Sequence, residues 1–445
     1  MATIVALVDI IYHYLIGNAV RRLHELHATY GGIVRCTPTR VSICTISAFR
    51  EVYGTERSGS KNFLKGHLYT NVGSVPDIFT VSDPAQHQVL RKLFGPSFAP
   101  GQAKRHEDTI KKHFQRLTEV IENEKDASSI VELNPILVRF MVDNMTEILM
   151  GKSLDTLTTG DVPKWVLSLR RILYWAPIME WLEESGFPLI FRWVSRNLIP
   201  SRVREAFFPP LETLIKDQMN PNGPKRERDM MAQVMERAES SSVPRQDMIQ
   251  TFMVLMLLSL HSTQTAVTSI IHFVLQSPST HRKLVDELRG AFASTDEITD
   301  DVARKLPYLN AVIIEALRMY PPAVAAGPRV SQGGYVDGHY IPRGAEIFGS
   351  IFSLQHNPQY FEEPFRFCPE RWIDQELRGN KEAVLPFIIG SRSCIAKHLA
   401  MTMLRTITAL FFVRFDAKHV GEAQDWVRDS TCYVMWELPS LKVQL

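Results

Sequence analysis

The stretch Phe387-Ile-Ile-Gly390-Ser-Arg392-Ser-Cys394-Ile-Ala396-Lys397-His-Leu399 constrains this chain more than any other. A cysteine stands at the mouth of an apolar, helix-like run from Leu399 to Phe412, with an arginine two residues before it and a glycine four before it. A helix N-terminus stabilises negative charge, and its free N–H groups can hydrogen-bond a sulfur. Gly390 allows the backbone to turn tightly beneath a flat group, and Arg392 can give a carboxylate paired hydrogen bonds. The pattern suits a thiolate that stays ionised while it binds a metal. A lone cysteine is ordinarily a small buried hydrophobe. With each residue type at about one position in twenty, four further residues in fixed places make that explanation a poor one.

A second signature lies upstream, in Asn310-Ala-Val-Ile-Ile-Glu315-Ala-Leu-Arg318-Met-Tyr-Pro-Pro322. Glu315 and Arg318 are three apart on an apolar helix, hence on one face, and Pro321 and Pro322 end that helix. Pro369-Glu370-Arg371-Trp372 supplies another arginine. By itself an i,i+3 Glu–Arg pair is an ordinary solvated ion pair worth a few tenths of a kcal/mol.

Together these segments resemble the Phe-x-x-Gly-x-Arg-x-Cys, Glu-x-x-Arg and Pro-Glu-Arg elements of the haem-thiolate monooxygenases, the cytochrome P-450 superfamily. Ala396 stands where most members carry glycine, a one-methyl departure often met in the fungal branch. The resemblance runs from about residue 20 onward. It implies haem b with Cys394 as the axial iron ligand and Phe387, Gly390 and Arg392 around the cofactor. It also implies a buried ion triad of Glu315, Arg318 and Arg371, which locks the segment carrying the cysteine without doing chemistry.

The run from Thr251 to Leu275 is apolar all round at first and then abruptly polar from Ser259 to Gln264. Such a helix is either buried in a large protein or spans a membrane. Its unbroken apolar part falls well short of the roughly twenty residues a span needs. Mid-helix hydroxyls can bond back to the i−4 carbonyl and bend the helix. The resemblance implies that this helix passes over the haem, where Ala-Gly-x-(Asp/Glu)-Thr-(Thr/Ser) is the usual pattern. Aligned on it, Ser259 falls at the alanine, Leu260 at the glycine, Ser262 at the acid and Thr263 at the alcohol. The alcohol is kept and the acid is missing. Ser262 can relay a proton only as a link in a chain with water. His261 has a suitable pKa for a substitute donor, yet at about 100° per residue it points well away from Thr263. Thr265 reads as packing or capping. Thr263 and Ser262 are thus the expected catalytic pair, and Leu260 and Val324 the expected substrate-pocket residues.

The haem propionates need cationic partners. His87 and Arg91, at i,i+4 in Asp83-Pro-Ala-Gln-His87-Gln-Val-Leu-Arg91, resemble the family's His/Trp-x-x-x-Arg element, and Arg329 resembles its strand arginine. Each is otherwise a solvated surface charge. Ala323, Val324, Ala325 and Ala326 are small enough to line a chamber for a bulky apolar ligand, or to pack in the core.

With 445 residues, 45% hydrophobic and 22% charged, the chain can build a sizeable core. The scattered elements belong to one large unit, mainly α with a minor β region, expected over residues 21–445. Strands are expected near Ile33–Ile46, Tyr335–Ile341, Ala345–Phe352 and Cys432–Leu445, and a solvent-exposed linker over Asn220–Gln246. Cys36, Cys44, Cys368, Cys394 and Cys432 have no paired or zinc spacing. A net charge of +2, without a basic stripe among aromatics, excludes an electrostatic nucleic-acid binder.

No Gly-x-Gly-x-x-Gly fingerprint is present and no fused flavin domain fits, so electrons are expected from a separate NADPH-dependent reductase. Lys397 and Arg405 could meet that partner, or simply be solvated. The start of the chain is apolar but broken by Asp9 and His13, so residues 1–20 are expected to be an anchor truncated or reduced to a remnant. Phe187–Trp193 could dip into a bilayer or roof the substrate channel. The implied setting is the cytoplasmic face of the endoplasmic reticulum membrane. The implied activity is oxidation of a hydrophobic natural product of terpenoid or polyketide type with dioxygen, in fungal secondary metabolism. Two rivals stand beside it: a haem-thiolate isomerase, dehydratase or cyclase that needs no reductase, and a non-catalytic haem binder.

Overall fold

The chain runs through helix α1 (Ala19–Tyr30) into the antiparallel strands β1 (Ile33–Arg35) and β2 (Arg40–Ile43), then α2 (Ile46–Tyr53). The Thr45 hydroxyl starts α2 by accepting from the Ala48 N–H. The computed structural model describes residues 12–55, 63–66, 69, 75–127, 129–168, 201–220, 229–374, 376–377, 379–422 and 424–445. The expectation for residues 1–20 lies largely outside them, and that for Phe187–Trp193 entirely so. After β3 (Phe63–Lys65) comes α3 (Pro84–Phe94), which Asp83 caps by accepting from Gln86 N–H, with Pro84 in the first turn where no N–H is missed.

Next come α4 (Glu107–Ala127), β4 (Val131–Glu132), α5 (Leu133–Met150), α6 (Ser201–Gln218) and α7 (Met230–Ala238). The stretch read as an exposed linker, Asn220–Gln246, therefore contains a helix. Met230, Met231 and Val234 at its i, i+1 and i+4 positions are buried, because an apolar stripe even of three residues is enough to seat one short helix on the core.

The 32-residue α8 (Arg245–Gln276) follows, then α9 (Pro278–Ala291) and α10 (Pro307–Met319). Strands β5 (Ala325–Ser331), β6 (Gly334–Val336), β7 (His339–Ile341) and β8 (Glu346–Ser350) precede the short α11 (Ile351–Gln355). The chain closes with α12 (Lys397–Arg414), β9 (Lys418–His419) and β10 (Lys442–Gln444). Helix α8 has the length and apolarity of a membrane span. Here it packs against α5, α6, α10 and α12, and its middle and C-terminal residues belong to the main apolar core.

The larger sheet has the order β1-β2-β8-β5-β3, parallel only between β2 and β8. Its own apolar cluster includes Ile43, Phe49, Tyr53, Ile347 and Phe361. Register shifts between Ala326 and Arg329 in β5, where Gly327-Pro328 interrupts the ladder, as proline in a strand requires. The expected strands are shorter than the sequence suggests. A turn held by Arg40 N–H to Thr37 carbonyl and hydroxyl splits Ile33–Ile46. Ser350 ends β8 by capping α11. Cys432–Leu445 yields only the bridge Cys432–Trp436 and β10, since the Trp436 indole turns inward to donate to the Pro321 carbonyl.

Candidate cofactor site

The Cys394 loop is closed by backbone bonds from Cys394 N–H to Phe387 carbonyl at 2.9 Å and from Ser393 N–H to Gly390 carbonyl at 3.1 Å. Gly390 has φ +79°, and a Cβ there would lie 2.0 Å from the Tyr53 carbonyl oxygen and 2.5 Å from that of Gly54. The glycine is therefore required by the end of α2 pressing on the loop. Ile388 is held at φ +51°, a strained position for a β-branched residue and of the kind found at functional sites.

Cys394 keeps accessible surface yet is closely surrounded by protein. Burial pushes its pKa up. The Ala396 N–H, Arg91 and Lys397 oppose that by favouring the thiolate. Phe387 packs on the helical core, with the Lys397 ammonium 5.9 Å from its ring centre.

The cations expected around a cofactor do converge. Arg91 donates to the Ser393 carbonyl at 2.7 Å, and Arg392 donates to the carbonyls of Val81 at 2.6 Å and Ser82 at 2.9 Å. Arg329 is buried, donates to the Gly327 and Pro328 carbonyls, and lies 4.9 Å from the Tyr53 ring centre. His87 is buried too, and its pKa is pushed down to about 3 by burial and then by Arg392, Lys65, Arg91 and Arg329.

Lys65 is the member that sequence reasoning missed. It pairs with Arg329 across β3 and β5, and burial, Arg392 and Arg329 push its pKa down to about 6. Arg392 falls to about 10 from burial and Arg329. Asp77 offsets Lys65 and Asp83 offsets Arg392. Like charges gathered this closely in a partly dry site repel one another and call for an anion. The two propionates of a porphyrin would supply it, and the Cys394 sulfur would supply an iron ligand. The residues present fit a haem.

The triad is assembled around one carboxylate. Glu315 accepts from Arg318 Nε and Nη2, both at 2.9 Å, and from Arg371 Nε at 3.0 Å. It also accepts from Trp372 Nε1 and from the Cys368 N–H, each at 3.0 Å. Glu315 and Arg318 are fully buried. Arg318 further donates to the carbonyls of Gln355 and Pro364, and Gln355 accepts from Leu385 N–H, which leads into the cysteine loop. Trp372 and Gln355 carried no signal in the sequence beyond adjacency to motifs.

On α8 the hydroxyls bond backwards as expected: Ser262 Oγ donates to the Leu258 carbonyl at 2.6 Å and Ser259 Oγ to that of Met256 at 3.0 Å. Ser262 is half-buried, whereas Thr263 is buried and takes no side-chain hydrogen bond among the described residues. Thr265 and His261 Nδ1 are hydrogen-bonded at 3.2 Å. Leu260 and Val324 are both packed in the core, 4% and 5% exposed, leaving little of either open to a chamber. Arg405 does not stand free for a partner: its Nε donates to the buried Asp300 carboxylate at 2.5 Å. Among the described residues no cluster of histidines, cysteines and carboxylates could hold a separate metal ion.

The model of the cytochrome P-450 family matches residues 9–445. The chain is 26% identical over 433 residues to cytochrome P-450 monooxygenase ORF9 of Penicillium roqueforti, covering 96% of this chain and 84% of that protein. It is 27% identical to monooxygenase FUM2 of Gibberella moniliformis (97% and 94% covered) and 28% to AMT3 of Alternaria alternata (98% and 91%). With a family match across nearly its whole length and a cysteine loop of the family's pattern, the chain belongs to the cytochrome P-450 family and is a monooxygenase.

Proposed function

We propose that the chain binds haem b, with Cys394 as iron ligand and Lys65, His87, Arg91, Arg329 and Arg392 around the propionates. It would use this group to oxidise a hydrophobic natural product, of terpenoid or polyketide type, in fungal secondary metabolism. The observation that carries the reading is the Cys394 loop set beside a group of mutually repelling cations that Asp77 and Asp83 offset only in part. When bound, the haem supplies dioxygen activation, with the thiolate favouring O–O cleavage. Ala396 N–H, Arg91 and Lys397 favour the thiolate against the burial that disfavours it, and the iron would complete that balance. Glu315, Arg318 and Arg371 hold the loop's supporting segment, and the hydroxyls of Ser262 and Thr263 are the candidates for ordering water on the other face. Electrons come from a separate NADPH-dependent reductase at the cytoplasmic face of the endoplasmic reticulum membrane.

The test is turnover with such a reductase and isotope-labelled dioxygen on a panel of terpenoids and polyketides. Label in the product supports the reading. The second reading, an isomerisation or dehydration without reductase, is favoured by the absence of a carboxylic acid at Ser262. It predicts product without label and without nicotinamide consumption.

A further inference from the structure

Neighbouring residues of α8 face different surroundings. Ile249, Phe252, Met253, Met256, Leu260 and Thr263 are buried and follow one another at helical spacing, so Thr263 continues a packing stripe. Val254, Leu255, Leu257, Leu258, Ser259, His261, Ser262 and Gln264 keep accessible surface around the rest of the helix, with His261, Leu258 and Ser262 on the side away from the stripe. His261 is half-buried and closely surrounded by protein. Its Nδ1 is engaged with Thr265 Oγ1, itself fully buried. Beyond a contact with the residue's own backbone, Thr265 is the hydrogen-bond partner of the ring among the described residues, which leaves Nε2 available to water.

We propose that the distal proton-handling pair of this chain is His261 and Ser262, one residue earlier than the register read from the motif, with Thr265 as a positioning residue that fixes the imidazole tautomer. This rests on the distal-helix reading under Proposed function and chooses between the two hydroxyls left open there. Ser262 has given its hydrogen to Leu258, so its oxygen offers lone pairs that accept from and orient water.

Thr265 accepts from Nδ1–H, which leaves the Nε2 lone pair free. Nε2 would accept a proton arriving as hydronium along a chain of water and hand it on to the water ordered by Ser262, so that no hydroxide is left behind. The ring ends neutral, as it began, and the nicotinamide-fed redox partner supplies the electrons. Burial keeps His261 neutral at rest, its pKa pushed down to about 4, while the Glu437 carboxylate steadies the transient imidazolium.

The holoenzyme tests this. His261→Phe, and the better size match His261→Gln, should lower product per nicotinamide oxidised several-fold and raise peroxide release, with the carbon monoxide spectrum unchanged. His261→Asp should recover much of the loss. Ser262→Ala should cost more coupling than Thr263→Val. Unchanged coupling in His261→Gln, or a larger loss in Thr263→Val than in Ser262→Ala, overturns the proposal.

A second measurement does not depend on turnover. Nitrogen NMR of the diamagnetic ferrous carbon monoxide complex should show His261 as the Nδ1–H tautomer, and a mixture in Thr265→Val. An Nε2–H ring in the unaltered protein overturns the assignment. Failure to label product, with these signatures intact, sinks only the proposed activity.

Discussion

Glu315→Ala removes the acceptor on which five hydrogen bonds converge: two from Arg318, one from Arg371, one from Trp372 and one from the Cys368 N–H. Arg318 then remains as a guanidinium with no exposure and no anionic partner, its remaining contacts being carbonyls, the Met319 sulfur and the Phe361 ring. Stranding a buried charge in this way costs about 3–5 kcal/mol. That is a large share of a net stability of about 5–15 kcal/mol. At 1.4 kcal/mol per factor of ten, the unfolding constant rises roughly a hundred- to several-thousand-fold.

The assay pairs the urea midpoint, followed by far-ultraviolet circular dichroism, with haem content from the carbon monoxide spectrum. Both should fall. Glu315→Gln should fall nearly as far, because the amide keeps the shape but not the charge. Replacing Glu315, Arg318 and Arg371 together by apolar residues of similar volume should recover part of the midpoint. Glu315→Ala protein with an unchanged midpoint and full haem content would refute the reasoning.

Cys394→Ala should abolish the thiolate-type carbon monoxide spectrum while the helical circular dichroism survives; retention of that spectrum would exclude the ligand assignment. Gly390→Ala should prevent haem loading, since the new methyl meets the Tyr53 carbonyl at 2.0 Å and the backbone holds φ +79°; normal loading would mean the loop yields. Lys65 has a folded pKa of about 6 against an ordinary 10.5. Between those values the unfolded chain binds the extra proton, so stability of the haem-free protein should rise with pH across that window. Lys65→Met should flatten the rise in urea midpoint, and an unaltered slope would count against the crowding of charges.

Motifs that are local in sequence were legible because their geometry is local. Glu315 and Arg318 share a helix face whatever the rest of the chain does, and Gly390, Arg392 and Cys394 lie within one turn of each other. What depended on tertiary register was not. Lys65 joins Arg329 only because β3 pairs with β5 in one particular alignment. Helix α7 looked like linker because its flanks are polar and only Met230, Met231 and Val234 reach the core. Arg405 looked free because Asp300, the carboxylate it meets, lies 105 positions away. The exposure of Ser262 and burial of Thr263 turn on which way α8 is rotated, which a motif with a missing acid does not specify.

Arg91 reaches the Ser393 carbonyl while Arg392 reaches back to the carbonyls of Val81 and Ser82, so two distant segments clasp each other reciprocally. The partners are separated by 302 to 311 positions. During synthesis from the N-terminus, the earlier half of the clasp must wait until residue 393 has emerged from the ribosome. Closure of the clasp, and with it a finished cofactor loop, is accordingly among the last events of biogenesis.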